Sequence, residues 1–290
     1  MSFVIEDVLI RDDPGGYRLP VVFDSPHSGV QYPPEFRFAC PLPLLRQAED
    51  GFVDELFAVA SDHGATLLAA LFPRSFIDVN RAADDLDPEM IEPPWREPVR
   101  PTDKSAVGMG LIRRLCRPGM PIYDGRLPAA EVADRIDRYY RPYHFQLQSI
   151  LDSLVAQFGV VWHVNCHSMP STGGVLPGTE QTSRPDFVLG DRDGTTSEPE
   201  FVRFVTYTLE SLGYRVALNN PYKGVELVHR YGNPSRGRHS LQIEINRGLY
   251  MNEETFEKHC GFEPLRQSLT HLIGRIADYA GDRIAARAAE

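Results

Sequence analysis

The chain has 290 residues, 42% hydrophobic and 24% charged, which gives length and apolar content for a large buried core. Its formal net charge of −10 opposes nucleic acid and anionic membrane surfaces as partners, so an anionic ligand would need a local pocket of arginines.

An apolar, β-branched run predicts a strand over 20–24, which leads into Ser25-Pro26-His27-Ser28-Gly29. Leu, Ala, Glu and Phe over 42–62 predict a helix that stops at His63-Gly64. Strands follow at 66–71 and 76–79, the second running into Asn80-Arg81. The segment 82–128, rich in proline and mixed charge, is expected to be an insert without secondary structure. Its root lies at the polar cluster 78–81, so it is expected to cover the site. Apolar residues at helical spacing over 129–158, among them Val132, Ile136, Tyr143, Leu147, Ile150 and Leu154, predict a helix that Pro142 bends or splits. Strands at 160–164, 186–189, 214–218 and 240–246, with helices at 197–212 and 253–288, complete the pattern. This alternation predicts a single α/β domain over 1–290, with a mainly parallel mixed sheet and helices on both faces.

Four dispersed cysteines, Cys40, Cys116, Cys166 and Cys260, form no C-x-x-C pair and give no disulfide framework. The N-terminus is acidic where a signal peptide needs base, and the longest apolar run, 67–73, is too short to span a bilayer. A reduced cytoplasm is the expected compartment.

The chemistry gathers at strand ends. His27 and His167 each follow an apolar run and precede a serine, and Glu244 lies within the run 240–247. In open α/β sheets that rim is where ligands bind. Two histidines and a carboxylate there suggest a mononuclear metal hydrolase with a carboxylate base. His63, His144, His239, His259 and His271 have no such setting. Neither H-E-x-x-H nor H-x-x-E occurs, there is no G-x-S-x-G elbow, and Asp191-Arg192-Asp193-Gly194 reads as a turn.

Taken in order, the segments SPHSG (25–29), ED (49–50), FIDVNR (76–81), GLIRR (110–114), NCHSM (165–169), LGDRDG (189–194), YKG (222–224), RYGNP (230–234) and LQIEINRGLYM (241–251) resemble the N-formylglutamate amidohydrolases. The resemblance implies a phosphorylase/hydrolase-like α/β fold, similar to that of the zinc carboxypeptidases and aspartoacylases. It implies one zinc, or another divalent metal, held by His27, His167 and a carboxylate, with Glu244 as general base. Asp50 is the expected third ligand, with Glu49 and Asp54 as alternatives. Asn80-Arg81 resembles the carboxylate-binding pair of the carboxypeptidases, and Arg113, Arg114 and Arg230 are further candidates for holding the substrate. The implied partner is a small anionic N-acyl amino acid, N-formyl-L-glutamate or a close analogue, and the implied setting is histidine degradation. The chain departs from the formylglutamate hydrolases at 48–51, where Ala-Glu-Asp-Gly stands in place of Asp-Thr-Asp-Trp. A carboxypeptidase-like or deacylase activity on another small amide, and a non-catalytic metabolite-binding protein, are the alternative readings.

Overall fold

The apolar runs of the sequence come together in one eight-stranded sheet. The structure is a computed structural model that describes residues 1–93, 95–117, 119–173 and 183–288. The strands are β1 (Ser2–Ile5), β2 (Leu9–Asp12), β3 (Val21–Ser25), β4 (Thr66–Ala70), β5 (Val161–Met169), β6 (Phe187–Gly190), β7 (Val216–Leu218) and β8 (Arg238–Asn246). Their order across the sheet is β1-β2-β4-β3-β5-β8-β6-β7. The central strands β4, β3, β5 and β8 are mutually parallel, as are β6 and β7, while β1–β2, β2–β4 and β8–β6 pair antiparallel. This is the mixed sheet flanked by helices that the sequence predicts.

Side chains alternate across each strand, and here the two faces differ in chemistry. Val21 and Phe23, Trp162, Val164 and Cys166, and Leu241, Ile243 and Ile245 all face one apolar layer, which the helices Pro199–Ser211 and Phe262–Ala288 cover. On the opposite face, Val22, Leu68 and Val161 pack with Tyr143, Leu147, Ile150 and Leu154 of the helix Arg141–Phe158. Toward the C-terminal ends of β3, β5 and β8 that second face turns polar while staying buried: Asp24, His163, Asn165, His167, Ser240, Gln242 and Glu244. Register pairs Asp24 with Asn165, Asn165 with Gln242, and His167 with Glu244. Three adjacent parallel strands therefore carry acids, amides and histidines into one patch.

Several expectations are corrected. The run 76–79 is a turn, not a strand; Phe76, Ile77 and Val79 are fully buried, and an apolar run alone cannot separate a buried turn from a buried strand. The helix expected over 42–62 breaks into Leu42–Arg46, Val53–Leu56 and a 3-10 turn Ala58–His63, because Phe52 takes the left-handed conformation at φ 62°. The stop at Gly64 stands, with φ 79°. The helix is not split at Pro142: Ala129–Arg135 runs through a π turn, Ile136–Tyr140, into Arg141–Phe158, and the π turn just before Pro142 is the local irregularity beside a residue that has no N–H to donate.

The last helix starts only at Phe262. Before it, Met251–Asn252 pairs with Glu257–Lys258 around a turn in which the Asn252 side chain accepts from the N–H groups of Glu254 (2.8 Å) and Thr255 (3.1 Å). The hairpin β1–β2 has no counterpart among the predicted elements: each strand is only four residues long, and although Phe3, Val4, Ile5, Leu9 and Ile10 are apolar, β1 is mostly exposed and β2 only partly buried. The 82–128 insert is not structureless. It holds a short helix, Asp103–Ala106, and the pairs Ile91–Glu92 with Leu127–Pro128 and Leu115–Arg117 with Met120–Pro121. Buried Leu111, Ile112, Ile122 and Leu127 anchor it to the core. No helix among the described residues is long and apolar enough to cross a membrane.

Candidate active site

His27 follows β3 in a loop whose Gly29 is forced: a Cβ there would lie 2.3 Å from the Phe72 carbonyl oxygen. The His27 carbonyl accepts from Asp50 N–H at 3.0 Å, and Ser28 Oγ accepts from Asp54 N–H at 3.1 Å. These bonds fix the break in the 42–62 helix against the histidine loop. The break presents the Asp50 carboxylate to His27 and to His167 of β5, and all three side chains are at most 2% exposed.

Their atoms converge tightly. His27 Nδ1 lies 3.1 Å from His167 Nδ1 and 3.3 Å from Asp50 Oδ2, and His167 Nδ1 lies 2.9 Å from Asp50 Oδ2. Among the described residues these three form the cluster able to hold a metal ion, their ligand atoms within 4.8 Å of one another. The outer partners determine what these atoms offer. His27 Nε2 is 2.7 Å from Asp78 Oδ1, so the ring proton sits on Nε2 and Nδ1 keeps its lone pair. His167 Nε2 is 2.7 Å from Asn165 Oδ1, whose amide nitrogen is committed to Asp24 at 2.8 Å, and the same tautomer follows. Asn80 Nδ2 also approaches His167 Nε2, at 3.1 Å, but Asn80 Oδ1 is committed to Leu227 N–H at 2.9 Å, so the shorter Asn165 contact decides. Burial further lowers the His167 pKa and keeps the ring neutral.

Three acceptor atoms thus face one another with no proton between them. Ligands around a tetrahedral ion at about 2.0–2.1 Å stand roughly 3.3 Å apart, so the donor set and its spacing fit a divalent metal such as zinc. Burial would raise the Asp50 carboxyl. The neighbouring guanidinium charge of Arg74 opposes that rise. Its second oxygen, Oδ1, accepts from Arg247 Nη2 at 3.0 Å, leaving Oδ2 for the cluster. The Arg247 guanidinium also reaches Ser168 Oγ (2.9 Å) and the Gln47 carbonyl (3.0 Å), clamping the helix break to the end of β5.

Glu244 is His167's register neighbour and shares its face. Burial, reinforced by the charge of Asp50, pushes its carboxyl well above the ordinary value, and Gln242 Nε2 donates to Oε1 at 2.9 Å. A buried carboxyl with a raised pKa beside a metal-competent cluster is chemically able to carry a proton.

The other candidates are placed as follows. Glu49 accepts from Tyr32 and from Arg46 (3.3 Å) and does not join the cluster; nor does Asp54. Arg81 is 8% exposed and donates through Nε to the Met109 carbonyl at 3.1 Å, while Asp78 is taken by His27 and by Arg74 (2.8 and 3.2 Å). Arg113 is buried, Arg114 pairs with Asp87 at 3.0 Å, and Arg230 is exposed, 3.4 Å from the Tyr140 hydroxyl. Sequence reasoning missed Asp24, Arg74, Asn165 and Arg247 as parts of the site. Only Asn165, two residues before His167 on the same strand face, carried a local signal.

Residues 19–251 match the family model described as N-formylglutamate amidohydrolase. The chain is 30% identical over 277 residues to an N-formylglutamate deformylase from Pseudomonas putida, covering 92% of this chain and 95% of that protein. It is 29% identical over 245 residues to an N-formylglutamate deformylase from Pseudomonas aeruginosa, covering 82% and 84%. The crystal structure of N-formylglutamate amidohydrolase from Ralstonia eutropha JMP134 is similar at TM-score 0.90 and 46% identity, over 95% of this chain and 99% of that one. A gene product from Agrobacterium tumefaciens, at TM-score 0.67 and 18% identity, shares the fold over 94% of this chain and 95% of its own.

Proposed function

The chain belongs to the N-formylglutamate amidohydrolase family, and from that premise we propose that it releases formate from N-formyl-L-glutamate or a close N-acyl amino acid. We assign one zinc, or another divalent metal in its place, to His27, Asp50 and His167. A metal so held supplies Lewis acidity, making a water molecule more acidic and polarising the amide carbonyl. The observation that carries this reading is the set of three unprotonated acceptor atoms, 2.9 to 3.3 Å apart, beside a raised carboxyl.

The chain's own groups then have distinct tasks. Asp78 and Asn165 hold the two imidazoles in the tautomer that directs Nδ1 inward. Glu244 accepts the proton of the attacking water and delivers it to the amide nitrogen as the C–N bond breaks. Arg81, with Asn80, receives the substrate's α-carboxylate, for which a guanidinium offers a matched pair of donors. Arg230, 3.4 Å from the Tyr140 hydroxyl that donates to the Arg81 carbonyl at 2.9 Å, is assigned a supporting part in holding that carboxylate.

The test joins formate release from a panel of N-formyl amino acids to elemental analysis of protein purified without chelator. Expected are formate release and close to one zinc per chain. Active protein free of metal overturns the assignment, as does a panel that yields no formate.

A further inference from the structure

β8 places Gln242 and Glu244 two residues apart on the polar face of the sheet. Gln242 is 1% exposed, and its Nε2 donates to Glu244 Oε1 at 2.9 Å. Its own carbonyl oxygen is buried and has no hydrogen-bond partner among the described residues. The neighbours explain why. On one side its register partner is Asn165, whose Oδ1 meets His167 Nε2 at 2.7 Å and whose Nδ2 donates to Asp24 at 2.8 Å, so that amide is committed at both ends. On the other side stands Gly190, which brings no side chain. A Cβ there would lie 2.7 Å from the Gly224 nitrogen, so backbone closes that flank. Turning the Gln242 amide over would set its carbonyl oxygen against the Glu244 carboxylate, acceptor against acceptor. The amide orientation therefore follows from Glu244. A buried amide with its acceptor unmet is costlier than an apolar side chain of the same length. Its single bond is the one to Glu244 Oε1, while no hydrogen bond among the described residues engages Glu244 Oε2.

We propose that Gln242 is a positioning residue for the hydrolysis: it holds Glu244 by Oε1, so that Oε2 is the oxygen presented to the attacking water. This deepens the amidohydrolase reading and rests on it, since the task of Glu244 comes from that reading. Gln242 itself touches neither substrate nor metal, and acts only by fixing the plane of the Glu244 carboxyl and the oxygen left free.

The experiment measures kcat, KM, zinc content and melting temperature in Gln242→Met, which keeps the length of the side chain but cannot donate. kcat should fall roughly ten- to a hundredfold, the range expected when a charge-assisted bond is lost and a reacting group drifts by about an ångström. KM for N-formyl-L-glutamate and zinc content should stay as in wild type. The melting temperature should not fall, because the substitution removes an unmet acceptor, whereas a residue that merely supported the fold would lose stability and turnover together. Gln242→Asn, one methylene too short to reach Glu244, should lose kcat likewise. In a Glu244→Gln background Gln242→Met should cost nothing further, since its effect passes through Glu244. Unchanged kcat in either variant, or a loss that appears in KM or zinc content instead, overturns the positioning role. So does a melting temperature that falls with kcat, a full further loss in the Glu244→Gln background, or failure of both variants to fold. Each of these leaves the amidohydrolase reading intact. Wild type that releases no formate from any N-formyl amino acid would instead defeat the reading beneath it.

Discussion

Asp78→Asn removes one charge and almost no volume, and the geometry says which interaction must yield. Both carboxylate oxygens of Asp78 accept: Oδ1 from His27 Nε2 (2.7 Å) and Asn80 N–H (2.9 Å), Oδ2 from Arg74 Nη2 (2.8 Å) and Nε (3.2 Å). An amide offers one acceptor, so its NH2 must face donors on one side. Turned toward Arg74, it forfeits two charge-assisted bonds and leaves a buried guanidinium half-compensated, a loss of about 3–5 kcal/mol. Turned toward His27, it loses the one bond from Asn80 N–H and forces the imidazole proton onto Nδ1, about 2–3 kcal/mol together. The second orientation costs less and should prevail. It points an N–H into the metal position, so metal affinity should fall roughly ten- to a hundredfold, as for other groups that orient ligands. The assay is competition with a chromophoric chelator, beside urea unfolding of the metal-free protein. Unchanged metal affinity, whatever the stability, would refute the tautomer argument.

Further outcomes follow from the same geometry. His27→Ala, His167→Ala and Asp50→Ala should each lose metal by elemental analysis, while Glu49→Ala keeps it; the reverse for Glu49 and Asp50 would move the third ligand. Glu244→Gln should keep metal while turnover falls roughly 10²–10⁴-fold; near-normal turnover would assign the proton to another group. Burial raises the Glu244 pKa on folding, so its contribution favours the folded chain below about pH 4 and is lost as pH rises through the folded value. Metal-free Glu244→Gln should therefore melt above metal-free wild type at pH 7–8, with the gap closing near pH 4. Arg81→Ala should lower kcat/KM by roughly ten- to a hundredfold on N-formyl amino acids but hardly alter the poor turnover of an N-formyl amine lacking the α-carboxylate. Equal losses on both would make Arg81 a support of the fold.

The sheet and the strand-borne groups are legible because strands are short and strongly patterned. The run 160–164 predicts β5, and period two then places His163, Asn165 and His167 on one face and Val164 and Cys166 on the other. The same alternation sets Glu244 opposite Ile243 and Ile245. Long-range partners were not legible. Nothing local to Arg247 announces that it clamps Asp50, almost two hundred residues earlier, or to Arg74 that it shares Asp78 with His27. The insert was misread because prolines signal breaks in regular structure, whereas its order comes from buried Leu111, Ile112 and Ile122. The 42–62 helix was misread because propensity is a weak prior that tertiary contacts override.

That override follows from what the site requires. A continuous helix through 47–52 would satisfy Leu, Ala, Glu and Phe, yet the chain accepts a left-handed Phe52, a conformation costing on the order of 1–2 kcal/mol in a bulky residue. In return, Asp50 N–H reaches the His27 carbonyl and Arg247 reaches both Asp50 and Gln47. The polar face of the sheet follows the same logic. Asp24, fully buried, accepts from His163 (2.7 Å), Asn165 (2.8 Å) and Tyr143 (2.9 Å), and His163 in turn meets Ser240 at 2.7 Å. An apolar set of the same volume would be cheaper to bury. What it could not do is orient the Asn165 amide, and through it the His167 proton, so that a lone pair faces the cluster. The fold gives up local stability at the helix break and along the polar column. Both losses converge on one result: three acceptors held close together in place of the water or donors each would otherwise find. A bound cation offsets that repulsion only in the folded chain, so metal binding and stability are linked. Chelation should lower the melting temperature, and added zinc should raise it progressively, by about 2.7 kcal/mol of stability at a hundred times Kd. A melting temperature indifferent to zinc would mean that the three acceptors are held apart by something other than a metal.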